Sequence, residues 1–285
     1  MTKASTTKAG TIRDEYWPWV TLACLLFANP LLAQSSSPAG PWESNLRNAF
    51  FADRPIVEDD DVISLEAPGR AENAAIVPIR IRAGFAQTPA RYIESITLII
   101  DKNPAPLGGV FRFTPRSGRA DLALRIRVNA YTNVRAIAET NDGSLHMSTR
   151  FVKASGGCSA PVGTDLDAAM ARLGKMKLRT QTQPDATQPL LAQLAISHPN
   201  ITGLQMDQVT HLYMPPHFVR KVSVTFNGEP VFDAQTDISI SENPNFRFYF
   251  MPSENGELVA EIEDTDGSIY TKSHRVLSQV ADAAQ

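Results

Sequence analysis

Val222-Ser223-Val224-Thr225-Phe226-Asn227-Gly228-Glu229-Pro230-Val231-Phe232 is the stretch on which the fold turns. Its first five residues alternate apolar and polar, the period of a strand with one buried face. Asn227-Gly228 accepts the positive φ angles that a two-residue hairpin demands, so the chain reverses there and Pro230-Val231-Phe232 returns alongside. A second reversal is written at Asp264-Thr265-Asp266-Gly267. Around these turns, segments 190–198, 217–226, 229–234, 245–251, 257–264 and 270–276 alternate in the same way and read as a β-sandwich over 189–278.

The pattern also occurs upstream. Segments 77–83, 93–100, 110–113, 122–128, 133–139 and 146–152 read as strands, separated by turn signals at Asn103-Pro104, Ser117-Gly118 and Asn141-Asp142-Gly143. They predict a second sandwich over 40–155, so the fold class is all-β with two immunoglobulin-like domains. Between them, 156–188 reads as a glycine-rich arm, a short helix over 165–177 capped by Thr164, and a polar linker from Arg179 to Gln188. Leu166, Met170, Leu173 and Met176 fall at helical spacing and predict a packing stripe on that helix.

At 285 residues the chain has room for two cores, and 43% hydrophobic with 20% charged residues is ordinary globular composition. A net charge of -3 supplies no basic field, which argues against nucleic acid and anionic membranes as partners. Lys3, Lys8 and Arg13 precede an apolar run over 17–33, which ends at Leu31-Leu32-Ala33 before Gln34-Ser35-Ser36-Ser37. This reads as a signal peptide over 1–33, cleaved after Ala33, and predicts export to the periplasm with no membrane attachment afterwards.

Cleavage removes Cys24 and leaves Cys158, which then has no internal disulfide partner. Ser155-Gly156-Gly157-Cys158-Ser159-Ala160-Pro161-Val162-Gly163 is small and polar, without an apolar period that would bury it. The expectation is a functional thiol held in solvent or in a partner's cleft, on a flexible arm made by Gly156, Gly157 and Ser159. No nucleophile elbow, phosphate loop, dinucleotide fingerprint or paired carboxylates appear, so neither an enzyme nor a cofactor is predicted, and no catalytic residues. Asp59-Asp60-Asp61 reads as a solvated loop. His146, His198, His211, His217 and His274 show no zinc or copper spacing and read as surface or turn residues, so no metal site is predicted.

Several motifs resemble the two subunits of the SoxYZ sulfur-compound carrier, here in one chain. Ile100-Asp101-Lys102-Asn103-Pro104-Ala105-Pro106, the run from Phe111 to Ala120, Ala138-Glu139, Asp142-Gly143-Ser144 and Gly156-Gly157-Cys158 resemble the Y subunit in order and spacing. His198-Pro199, Thr202-Gly203, Pro216-His217-Phe218-Val219, the run from Val222 to Gly228 and Ser241-Glu242-Asn243-Pro244 resemble the Z subunit. The resemblance implies that Cys158 carries a sulfur intermediate, such as one derived from thiosulfate, as a covalent adduct for partner enzymes of sulfur oxidation. The family's Y subunit ends in Gly-Gly-Cys-Gly-Gly, whereas Ser159-Ala160-Pro161 follow here and the arm runs on into a second domain. That form looks like the carriers associated with periplasmic quinoprotein (PQQ-dependent) alcohol dehydrogenases. The alternative reading is a metal-binding or redox accessory protein of such a system.

Overall fold

The computed structural model describes residues 40–161, 165–181, 188–252 and 254–277. The expected signal peptide lies outside the described residues, as do Thr164 and most of the expected linker. A π-helical turn, Trp42–Leu46, runs into α1 (Arg47–Phe51). Then come β1 (Ile56–Glu58), β2 (Ile63–Glu66), β3 (Val77–Ala83), β4 (Ile93–Ile100), β5 (Leu107–Phe113), β6 (Leu122–Ile126), β7 (Thr132–Thr140) and β8 (Leu145–Val152). After α2 (Leu166–Met170) follow β9 (Met176–Thr180), β10 (Leu190–Ile196), β11 (Val219–Phe226), β12 (Glu229–Thr236), β13 (Asn245–Phe250), β14 (Gly256–Asp264) and β15 (Ile269–Val276). No described helix is long and apolar enough to cross a membrane.

The strands form two layers, ordered β1-β8-β7-β4-β5-β12-β11-β14-β15 and β2-β3-β6-β13-β10-β9. The all-β sandwich class is as read from the sequence, but the two halves are not separate sandwiches: both sheets run through from one half to the other. In the larger sheet β5 pairs antiparallel with β12, placing Phe113 opposite Phe232, Arg112 opposite Asp233 and Phe111 opposite Ala234. In the smaller sheet Ala123 of β6 pairs with Arg247 of β13, and Ile126 bridges Ile240. A half ending at β5 and β6 leaves two rows of unpaired amides and carbonyls, and pairing with the other half satisfies them.

Alternation explains the core. Phe111 and Phe113 on β5, Phe232 on β12, and Phe246 and Phe248 on β13 all point between the layers and are buried. Phe232 stacks on Phe248 with ring centres 4.7 Å apart and lies 5.7 Å from Phe113 and 6.4 Å from Phe111. Rings from both halves thus share one contact set, within a single continuous apolar cluster that extends from Ile63 to Val276. On the outer face of the larger sheet, Trp42, Leu46 and Phe51 cover Ile99, Ile137, Leu145 and Met147. Arg135 lies there with its guanidinium 4.6 Å from the Trp42 ring and paired to Asp101. This cover accounts for β7, which is buried on both faces.

Three expectations are corrected. The helix over 165–177 is only α2, capped by Asp165, whose carboxylate accepts from the amides of Asp167 and Ala168. Gly174 takes a φ of +73°, which turns the chain into β9, an edge strand paired with β10 where helix end and linker were expected. Met170 is accordingly exposed, so the predicted packing stripe does not form. Met176 and Leu178 satisfy a helical period and a strand period alike, and the pairing available on β10 decides between them. The short strands β1 and β2, absent from the reading, are three and four residues long, below the length at which alternation registers.

Removing the Phe232 ring should cost about 3–5 kcal/mol. Because both halves rest on that ring, Phe232→Ala is expected to lower hydrogen-exchange protection in β7 and β14 together and to leave urea unfolding a single transition. Two separate midpoints would show that the halves are independent.

Candidate functional site

Cys158 is fully buried. The expectation of a solvent-held thiol on a flexible arm is therefore corrected at Gly156, Gly157, Cys158 and Ser159. The amides of Gly156 and Gly157 donate to the carbonyls of Asn129 (2.9 Å) and Val128 (3.0 Å), which lie just beyond β6. Three side chains hold the carbonyls that follow. Arg127 Nη1 donates to Gly157 O at 3.2 Å, Thr202 Oγ1 to Cys158 O at 2.7 Å and Gln205 Nε2 to Ala160 O at 2.8 Å. Ser159 Oγ turns back toward Gly156 O at 3.4 Å.

The glycines serve a different purpose from the one expected. Gly156 sits at φ +77° with open space around its α-carbon, so it supplies a turn. A β-carbon at Gly157 would collide with the Ala74 carbonyl and stand 2.7 Å from Val128 O, so this glycine lets the arm lie flat on the sandwich. The segment lacks apolar side chains because backbone hydrogen bonds bury it, and the side chains that complete the clamp lie more than forty positions away in the C-terminal half.

Most of the motifs noted in the sequence meet here. Asn103 Nδ2 donates to Arg127 O and Ser239 Oγ while its Oδ1 receives the Asn129 amide, which braces the floor beneath the arm. Arg127 itself is buried and bridges the halves, with Nη2 donating to Asn200 O at 3.3 Å. Asn200 is held in turn by Val219, Ile240 and Ser241, while the Asn243 amide donates to His198 O and the His198 amide donates to Asn243 Oδ1. Arg127 and Gln205 stood outside every motif. An arginine continuing the alternation of β6 and a glutamine in a loop carry no signal in one sequence.

Electrostatics keep this thiol neutral. Burial pushes Cys158 up from 9.0 to about 11, and the neighbouring Arg127 charge offsets only part of that rise. Burial likewise lowers Arg127, against the raising influence of Glu242 and Cys158. The clamped thiol is thus protonated near neutral pH, and a protonated, enclosed thiol is neither a nucleophile nor a ligand.

A second cluster draws on both ends of the segment that joins β10 to β11, the segment that also carries Thr202 and Gln205, and on the end of β14. His198, His217 and Asp264 are buried together, although 19 and 47 positions separate the last two from their neighbours in the chain (217 − 198 and 264 − 217). His217 Nε2 is 3.1 Å from Asp264 Oδ2 and 3.4 Å from Asp266 Oδ2, and His198 Nε2 is 3.7 Å from Asp264 Oδ2. Surface or turn positions were expected for the histidines and no metal ligands among them; these two are interior, on separate strand ends that only the fold brings together. The others stand apart: His146 faces Asp59 at 3.4 Å, His274 meets Thr180 at 3.1 Å and His211 lies on an exposed loop. In the acidic run, Asp60 receives Ser148 and Arg150, whose hydrogen bonds hold it below the usual carboxylate range.

Fold and site define a two-layer, all-β sandwich made of two halves that close on one thiol between them. Residues 47–158 match the family model described as sulfur oxidation protein SoxY, and residues 177–275 match the one described as sulphur oxidation protein SoxZ. The chain belongs to that family as a fused SoxYZ-like protein, with a SoxY and a SoxZ domain in one polypeptide. Among solved structures it is similar to the sulfur carrier protein SoxY from Chlorobium limicola f thiosulfatophilum, at 27% identity over 38% of this chain and 86% of that one, with a TM-score of 0.32. It is also similar to superoxide reductase (neelaredoxin) from Ignicoccus hospitalis, at 20% identity over 32% and 79%, TM-score 0.30. A third likeness, at 12% identity over 75% and 93% with TM-score 0.21, is to the fibronectin(III)-like modules of Clostridium thermocellum CbhA. No curated protein matches the chain.

The rise of the thiol from 9.0 to about 11 makes thiolate about 100-fold scarcer at neutral or mildly basic pH. Iodoacetamide is expected to alkylate Cys158 in the native chain at least about 100-fold more slowly than in the urea-unfolded chain. Equal rates would show an open arm. Since the folded value is the higher one, the thiol's contribution to stability is present below 9.0 and is lost as pH rises through about 11. Cys158→Ala should flatten that alkaline decline in melting temperature.

Proposed function

We propose that the protein is an exported, periplasmic carrier that holds a sulfur-containing intermediate covalently on Cys158 and presents it to partner enzymes. The observation that carries this reading is the position of Cys158. It is the last residue of the segment that matches SoxY, and side chains from the half that matches SoxZ grip its backbone. A cysteine kept only for packing needs no such grip on its carbonyl, nor an arginine beside it. The clamped arrangement is the closed form of the carrier. Loading requires the arm to leave the clamp, which exposes the sulfur, returns its acidity toward an ordinary thiol and makes it reactive where a partner waits.

The working partners are sulfur-oxidation enzymes, and a thiosulfate-derived group is the cargo that the family relationship favours. Association with a quinoprotein dehydrogenase rests on the Gly156-Gly157-Cys158-Ser159-Ala160-Pro161 sequence alone. Export rests on the charged and apolar run over 1–33.

Intact-mass analysis of protein recovered from its own periplasm tests the whole reading. The expected species begins at Gln34 and carries a sulfane, sulfonate or thiosulfonate adduct, and Cys158→Ala carries none. A bare thiol in cells that are oxidising sulfur compounds, or an adduct that persists in Cys158→Ala, would refute it.

A further inference from the structure

The cluster of His198, His217 and Asp264, with Asp266 beside it, has an excess of acceptors. Asp264 Oδ1 already accepts from the amides of Asp266 (3.0 Å) and Ser268 (2.9 Å), so the hairpin turn holds Oδ2 in place, aimed at the histidines. His217 Nε2 then faces two carboxylate oxygens, at 3.1 and 3.4 Å, with one proton to offer. Its backbone is held by reciprocal hydrogen bonds with Ile201, at 2.7 and 2.9 Å. His198 completes the set. Its Nδ1 accepts from the Asn200 amide at 3.1 Å, so the neutral ring carries its proton on Nε2, pointed toward Asp264 Oδ2 but 3.7 Å away. That nitrogen is fully buried and has no hydrogen-bond partner.

Two donors each about 2.0–2.1 Å from one tetrahedral ion stand about 3.3 Å apart. The spacing of the His217 nitrogen from both carboxylates matches that separation. Two carboxylates with one histidine proton also leave the cluster negative, which a divalent cation neutralises and a hydrogen-bonded arrangement does not. We propose that His217 Nε2, Asp264 Oδ2 and Asp266 Oδ2 bind a divalent first-row transition ion, with His198 as an outer partner that donates Nε2–H to Asp264. An ion at this point binds Nε2 of His217 in the tautomer that carries the ring proton on Nδ1, and draws Asp264 toward itself. The Asp266 side chain is 62% exposed, against 11% for His217, and provides the entry path and room for water in the remaining coordination positions. Imidazole and carboxylate together suit zinc or manganese better than calcium, which prefers an all-oxygen set.

The site is independent of sulfur carriage, and its test is made in the Cys158→Ala background so that the thiol supplies no ligand. Chelator-treated protein is titrated with zinc by calorimetry, and its melting temperature is followed alongside. The expected result is one equivalent bound with a rise in melting temperature. Asp266→Asn, at an exposed side chain where folding is not at stake, should weaken binding at least tenfold, and His217→Gln more. His198→Gln tests the outer role, with an expected loss of about 10–100-fold. Absence of zinc binding, or undiminished affinity in Asp266→Asn and His217→Gln, overturns the proposal. So does calcium binding as tightly as zinc.

Discussion

Antiparallel pairing of β5 with β12 is the constraint on which the rest depends. It makes one sheet out of two partial ones and sets the aromatic rings of both halves against each other. Its counterpart in the smaller sheet does more for the site, because β6 lies next to β13 and β13 next to β10. The residues just past β6 and β10 are consequently neighbours, and Arg127 reaches Asn200 across them. The clamp on Cys158 is assembled at that junction. Neither half contains it alone.

Strand segments were legible because one-sided burial writes itself as alternation: Val77–Ala83 and Ile93–Ile100 fall where the pattern placed them. The hairpin at Asn227-Gly228 is likewise local chemistry, with Asn227 at φ +52° and Gly228 at φ +83°. What stayed hidden is whatever depends on partners far away in the chain. Gly156 to Ala160 is polar by composition yet interior by hydrogen bonding, and a reading of side chains alone cannot register amides that find carbonyls on another strand. His198, His217 and Asp264 carry no motif spacing because three separate elements deliver them. β9 was misread for a subtler reason, since an edge strand with Lys177 and Arg179 facing outward looks like the polar face of a helix.

The clamp gives the carrier reading an energetic scale. Five hydrogen bonds hold the arm, from the amides of Gly156 and Gly157 and to the carbonyls of Gly157, Cys158 and Ala160. At about 0.5–1.5 kcal/mol net for each, releasing them costs on the order of several kcal/mol. In the carrier reading proposed above, the open form is thus a minor population that a partner must favour through its own contacts. On that reading the clamp shields the thiol from indiscriminate oxidation and yields it to a partner with enough surface to displace the arm.

The shared sheets also dictate an order of events during synthesis. Phe113 and the residue it opposes, Phe232, are 119 positions apart (232 − 113), so the first half must wait for the second. Until then the β5 edge stands open with Phe111 and Phe113 beside it, a template for any extended chain that passes. Pairing at such a distance is slow, because the long intervening loop must close before the contact contributes anything. The nascent polypeptide therefore has a vulnerable interval whose length is set by the arrival of β12.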